Sequence, residues 1–459
     1  MNLFRTKPIN ADAYCDTGLR RCLNAWDLTL LGIGAIIGAG IFVLTGVVAA
    51  THAGPAIIVS FIIAGLACAF AALSYAELAA SVGGCGSAYG YAYAGLGEFI
   101  AWIIGWDLIL EYGVALPAVA IGWSGYMSNA LAAIGLELPA ALLKAPVEGG
   151  IMNLPAMLVI LLLAVLLATG VHLSARINAV MVFVKLVAIA IFIAVALFYV
   201  QPANWQPFNP FGWTGVVTGA SLIFFAYIGF DAVSTAAEEA VNPPRDLPIG
   251  ILGSLAVCTV VYIAVAGLLT GVAPYTTLNV SSPVADVLLR IGERWAAGVV
   301  AVGAIVGITT VMLVLYYGLS RIFLAMSRDG LLPPVFAAIH PRTRAPVRVI
   351  FASGIVMAAI AGFMPIGEVA ELVNIGTLAA FLLVCTGVLV LRYTRPELPR
   401  PFRTPFSPLV PLLGIGACIY LMYHLPPLTW FRFLVWLGIG LVVYFVYSQR
   451  HSMLNSPAR

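Results

Sequence analysis

The chain has 459 residues; 62% are hydrophobic, only 9% are charged, and the mean hydropathy is +1.05. A soluble domain is about a quarter charged, so these values exclude a soluble enzyme, and equally a disordered or fibrous chain. The net charge of +3 comes without any Lys/Arg run, which excludes nucleic acid as a partner. What remains is an all-α integral membrane protein whose surroundings are the lipid bilayer.

A bilayer core about 30 Å thick takes about 20 apolar residues per helix. Stretches of that kind run over 26–50, 53–80, 90–126, 153–172, 175–200, 212–237, 247–273, 296–324, 347–364, 367–391, 406–424 and 429–447. About twelve transmembrane helices are therefore expected, with a cytoplasmic segment 1–25 before them and a cytoplasmic tail 448–459 after them. The third stretch is long enough for one span plus an extra turn or an interfacial piece. Residues 1–25 carry Arg5, Lys7, Arg20 and Arg21 and lead into a stretch with no cleavage site, so they are not a signal peptide. No room is left for a soluble domain, and any site must lie within the bundle.

Orientation follows from the basic residues. With the N-terminus inside, every Lys and Arg falls on the inner side except five. Lys144, Arg290 and Arg294 lie outside; Lys185 and Arg432 lie within spans. That asymmetry predicts a multi-pass protein with both termini in the cytoplasm.

Two spans differ from the others. The first contains Gly32, Gly34, Gly38 and Gly40 within the run Gly-Ile-Gly-Ala-Ile-Ile-Gly-Ala-Gly-Ile-Phe (32–42). The sixth contains Gly219 and Gly229 around Phe-Phe-Ala-Tyr-Ile-Gly-Phe-Asp (224–231). Each glycine costs a helix up to about 1 kcal/mol relative to alanine. Gly34-xxx-Gly38 also fits the small-xxx-small pattern of close helix packing. Two interrupted spans at matching places instead point to a transporter site between structural repeats.

Charge within a span is costly, by about 2.5–3.5 kcal/mol on the mild insertion scale. The deep ionisable residues are Glu111, Lys185 and Asp231, and Asp107 shares a helix face with Glu111. Lys185 stands among Val184, Leu186 and Val187 with no local partner. It suits a proton-coupling role; the competing role is a fixed ion pair with Glu111 or Asp231. Asp27, Glu77, Glu98 and Arg321 lie near span ends and are expected to be structural.

The seven cysteines, Cys15, Cys22, Cys68, Cys85, Cys258, Cys385 and Cys418, show no CxxC pair and read as small buried hydrophobes. The histidines His52, His172, His340, His424 and His451 form no metal pair, so no metal and no cofactor is expected. Asn279-Val280-Ser281 is a glycosylation sequon of consequence only in a eukaryotic secretory setting. No nucleophile–base pair suggests an enzyme.

The two glycine motifs, Glu238-Glu239, Asn242-Pro243 and Arg328-Asp329-Gly330-Leu331-Leu332-Pro333 together resemble the amino acid–polyamine–organocation transporters, in their cationic amino acid transporter branch. The likeness covers about Trp26 to Tyr447, and the length resembles bacterial members. It implies the leucine-transporter type of fold. Two five-helix inverted repeats would occupy 26–200 and 212–391, with helices 1 and 6 unwound at their centres and two further helices over 406–447.

The resemblance also implies a substrate site. N–H groups around Gly38, Ala39 and Gly40 would bind an α-carboxylate, favoured by the half-helix dipole. Carbonyls of Ile36, Phe225, Ala226 and Ile228 would take the α-ammonium, with Phe225 also acting as an aromatic gate. Many relatives have Ser or Thr at the place of Ala39, so one hydroxyl contact worth about 0.5–1.5 kcal/mol is missing. Lys185 lines up with the lysine that replaces sodium in proton-coupled members, bridging the first helix to the eighth near Thr309 and Thr310. Glu111 lines up with an acidic residue of the cationic branch, and Asp231 belongs to the same coupling set.

The expected function is proton-coupled import of L-amino acids, without sodium. Met312 and Leu315 are expected to line an apolar side-chain pocket, which weights a broad specificity to small neutral amino acids such as alanine. The rival readings are an amino acid/polyamine exchanger and a transporter-fold sensor. The sensor reading is disfavoured by tails of only about 25 and 12 residues.

Overall fold

The computed structural model describes residues 4–7, 23–82, 88–170, 175–343 and 345–455. Cys15, Cys22, Cys85, His172, Arg20, Arg21 and Arg344, with the side chains of Arg176 and Glu238, lie outside this set.

Among the described residues the structure is helical throughout, with no β-strand. The main helices are α1 (Ala25–Ile36), α2 (Ile57–Val82), α3 (Ala88–Gly95), α4 (Glu98–Ala133), α5 (Leu154–Ala168), α6 (Ala175–Ala196), α7 (Gly212–Ile223), α8 (Pro243–Val272), α9 (Pro283–Arg290), α10 (Arg294–Arg328), α11 (Val347–Phe363), α12 (Ile366–Thr394), α13 (Leu409–Tyr423) and α14 (Pro427–Val443). Among the described residues, eight helical stretches are long and apolar enough to cross a membrane, and four shorter apolar helices accompany them.

The third predicted stretch needs a correction. It begins as the separate short helix α3, and α4 starts only after a turn at Gly97, whose φ is +98°. The backbone of Phe4 lies against Gly97, so a side chain there would collide as well as strain. α4 then runs 36 residues to Ala133, past the predicted end.

The centre of the bundle is built on α4, which packs along α10 and α12; α10 also packs on α6, and α8 on both α1 and α2. Small residues set these seams. A Cβ on Gly32 would lie 2.6 Å from the Ser254 Cβ, and one on Gly250 would lie 2.8 Å from the Leu28 Cβ. α1 therefore approaches α8 more closely than side chains would allow. Outward faces are apolar: Leu158, Leu162 and Val165 on α5, and Val180, Phe183 and Val187 on α6, are all exposed. Such faces are stable only against hydrocarbon, where a helix satisfies its own backbone.

Charged residues near helix ends serve as pins. Buried Glu77 accepts from Arg392 through two bonds, at 2.9 and 2.6 Å, and from the Thr404 N–H at 2.7 Å. Buried Glu98 accepts from Arg5 at 3.3 Å and from the hydroxyls of Tyr444 and Ser452. Asp27 closes a capping box with Asn24 at the start of α1. Arg321 is exposed and lies over the Tyr317 ring. Cys68, Cys258, Cys385 and Cys418 are buried free thiols.

Candidate functional site

Among the described residues, the first and sixth predicted spans are interrupted, both at the glycine motifs. α1 stops at Ile36, and Ile37 is extended, with ψ of 100°. Helix resumes at Gly40 as a wide π-type turn, Gly40–Leu44. After α7 the chain tightens into a 3-10 turn, Phe224–Tyr227. Ile228 is then extended, and Gly229 takes a φ of +117°, a conformation that L side chains rarely adopt.

The two interruptions touch. A Cβ on Gly40 would lie 2.5 Å from the Ala226 Cβ, and one on Gly229 would lie 2.9 Å from the Ala35 carbonyl oxygen. Only glycine at these two positions lets the broken segments meet backbone to backbone. Ile36, Gly38, Ala39, Gly40, Phe225, Ala226 and Ile228 are all buried there.

Several carbonyls assigned to an α-ammonium already have partners. The Tyr262 hydroxyl of α8 lies 3.0 Å from the Ile36 oxygen and 2.8 Å from the Ala226 oxygen. It has a single proton for two acceptors, and a carbonyl oxygen offers two lone pairs. The Phe225 oxygen accepts from the Ile228 N–H at 3.3 Å. Tyr262 was not found by sequence reasoning. A lone tyrosine in an apolar span carries no local signal, and its role comes only from reaching both breaks.

Ala39 sits against α4, where a Cβ on Gly122 would lie 2.9 Å from the Ala39 Cβ. The side chain at position 39 thus fills a helix seam. The α10 residue that meets the first break is Val311, 3.0 Å from a Cβ on Gly38. Met312 and Leu315 are buried on the same helix.

Lys185 on α6 is fully buried, and its Nζ donates to the Gly34 oxygen at 2.7 Å and the Ile37 oxygen at 3.0 Å. These carbonyls lie where α1 loses its helical ladder, so the ammonium takes up acceptors that the break exposes. No ion pair joins Lys185 to Glu111 or Asp231 among the described residues. Toward the expected contact with Thr309 and Thr310, Lys185 makes no hydrogen bond among the described residues. Both hydroxyls donate within their own helix, to Ile305 and Gly307, and Thr309 also accepts from Trp123. The Lys185 stem instead passes over Gly307, 3.0 Å from where a Cβ would stand. Glycine at 307 leaves room for the long side chain.

Glu111 and Asp231 are neighbours, both buried. Tyr112 donates to the Asp231 Oδ2 at 3.2 Å, while Asp231 Oδ1 and Asp107 Oδ1 accept no hydrogen bond among the described residues. The carboxylates therefore form a second polar group beside the sixth-span break, separate from Lys185.

Comparison with known proteins agrees with this architecture. A family model described as amino acid permease matches residues 23–458. The chain is 52% identical to a methylthioribose transporter of Bacillus subtilis, over 99% of both chains. It is 51% identical to a branched-chain amino acid permease of the same organism, again over 99% of both. It is 40% identical to the vacuolar cationic amino acid transporter 4 of Arabidopsis thaliana, over 83% of this chain and 64% of that one. The relatives are transporters, not enzymes. With two broken helices meeting at buried glycines and a family match over nearly its whole length, the chain belongs to the amino acid permease family, as a bacterial-type member of the amino acid–polyamine–organocation transporters.

Proposed function

We propose that the protein is a proton-coupled importer of L-amino acids that works by alternating access in the cell membrane, with both termini cytoplasmic. Its architecture is read as the twelve-span leucine-transporter type, with repeats over 26–200 and 212–391 and two further helices over 406–447. The eight long and four shorter apolar helices support that reading.

The observation that carries the proposal is the junction of the two breaks, with Lys185 bonded to one of them. Carboxylate binding at Gly38, Ala39 and Gly40 draws on the backbone N–H groups of the break and the positive end of a half-helix. The ammonium shares the Ile36 and Ala226 carbonyls with Tyr262. The coupling ion is the Lys185 proton, and no sodium is required. Charged, Lys185 ties α6 to the end of α1 through charge-assisted bonds. Neutral, it holds α1 more weakly, and the inner half of the first span is released to move. Glu111 and Asp231 are the further proton-handling groups.

The preferred substrates are neutral. Met312, Leu315 and Val311 are apolar, and the relatives named for methylthioribose and branched-chain amino acids act on molecules without a cationic side chain. Small amino acids such as alanine fit the close approach of the breaks. A second reading, transport of a methylthioribose-like sugar, is favoured by the 52% relative. Its hydroxyls would then meet the same carbonyls.

The test is uptake into proteoliposomes of L-alanine, L-leucine, L-arginine and methylthioribose, under an inward proton gradient, a sodium gradient or neither. Proton-driven alanine uptake is expected. Sodium-driven uptake would remove the coupling role of Lys185, exchange without accumulation would make the protein an antiporter, and preference for arginine would overturn the neutral pocket. Uptake of methylthioribose alone would select the second reading.

A further inference from the structure

A groove of about 800 Å³ opens where α8 enters the bilayer, between its first turns and the 395–408 loop. Its floor is apolar, formed by Ile249, Leu252 and Phe402, and Arg245 and Asn242 stand at its end. We propose that this groove binds one anionic phospholipid, with the headgroup phosphate on Arg245 and an acyl chain along Ile249 and Leu252.

The cation at the groove is unspent. Arg245 is exposed and forms no ion pair among the described residues. By contrast, Arg392 and Arg400 in the adjacent segments face Glu77, at 2.6 and 3.6 Å. The acid beside Arg245 does not neutralise it, because the Asp246 carboxylate turns back to accept the Asn242 N–H at 3.1 Å. A soluble anion has no use for the apolar floor, and a zwitterionic lipid brings the same phosphate with its charge already offset by its own ammonium. A phosphodiester with negative net charge and hydrocarbon chains uses both.

The groove borders a seam that the transport cycle has reason to move. Leu252 and Gly253 line it, and a Cβ on Gly253 would lie 3.3 Å from the Thr29 Oγ1 of α1. A lipid held there lies beside the inner half of the broken first span.

The experiment is native mass spectrometry of the delipidated full chain, titrated with phosphatidylglycerol or phosphatidylcholine of identical acyl chains. The wild type is expected to hold phosphatidylglycerol about five-fold more tightly, the factor that corresponds to about 1 kcal/mol. Arg245→Gln should remove that preference, and Arg342→Gln, which changes an exposed arginine in another loop, should keep it. Leu252→Trp, which fills the floor, should weaken both lipids. Equal retention of the two lipids by the wild type would overturn the proposal, and so would an unchanged preference in Arg245→Gln. Unchanged binding in Leu252→Trp would overturn the placement of the chain. The readout is binding alone, so it stands apart from any result on substrate or coupling ion.

Discussion

Gly40→Ala tests whether the meeting of the two breaks is the basis of transport. The new methyl would stand 2.5 Å from the Ala226 Cβ, 3.1 Å from its nitrogen, and closer still to its Cα. Ordinary van der Waals separation begins near 3.4 Å, so the segments must part by about 1 Å. The obstacle is backbone, which cannot rotate away as a side chain would. Overpacking of this kind costs about 1–3 kcal/mol, which leaves the protein folded. A displacement of about 1 Å at a positioned site costs on the order of 100-fold in rate. The loss of function should therefore far exceed the loss of stability. The assay is initial-rate uptake in proteoliposomes, normalised to monodisperse protein, with thermal unfolding measured alongside. Gly267→Ala is the control, because its methyl meets Ile58 at an ordinary 3.4 Å. Ala226→Gly in the Gly40→Ala background relieves the clash with the methyl of residue 226 but not the clash with its backbone, so it should restore only part of the rate. Wild-type uptake by Gly40→Ala would refute the reasoning.

Lys185→Met keeps the length of the side chain but removes the donors to Gly34 and Ile37. Proton-driven uptake should fall at least about ten-fold, as expected for charge-assisted bonds of about 1.5–3 kcal/mol, while radioligand binding persists; full pH-driven uptake would sink the coupling role. Tyr262→Phe keeps the ring packing against Phe61 and Tyr227 but loses the hydroxyl that reaches Ile36 and Ala226. At about 0.5–1.5 kcal/mol per bond, KM for alanine should rise about two- to ten-fold, and an unchanged KM would count against a positioning role. Glu77→Ala removes the carboxylate that Arg392, itself about a quarter exposed, donates to, so stability should drop by about 1.5–3 kcal/mol with uptake per folded molecule preserved. An unaltered melting temperature in detergent would contradict this.

Composition and hydropathy alone were enough to establish a helical membrane protein, because 9% charged residues cannot cover a soluble globule of this size. The two helix breaks were legible for an equally local reason: glycine weakens helices wherever it clusters, and Gly38, Gly40 and Gly229 mark the places where the chain departs from α-helix. Lys185 also stood out locally, since a charge among valines and leucines demands an explanation. What these groups touch was not local. Lys185 could have met Glu111 or Asp231, and only packing shows that it bonds carbonyls at the end of α1 over the gap left by Gly307. Tyr262 and Val311 are inconspicuous in sequence and reach the breaks only because α8 and α10 run past them. Glu77 and Glu98 looked like solvated span ends, yet folding buries them against arginines more than 90 residues away. Helix propensity and hydropathy are properties of neighbours in the chain. The partners of a buried polar group are set by which helices come together in space, and that was decided by the tertiary structure.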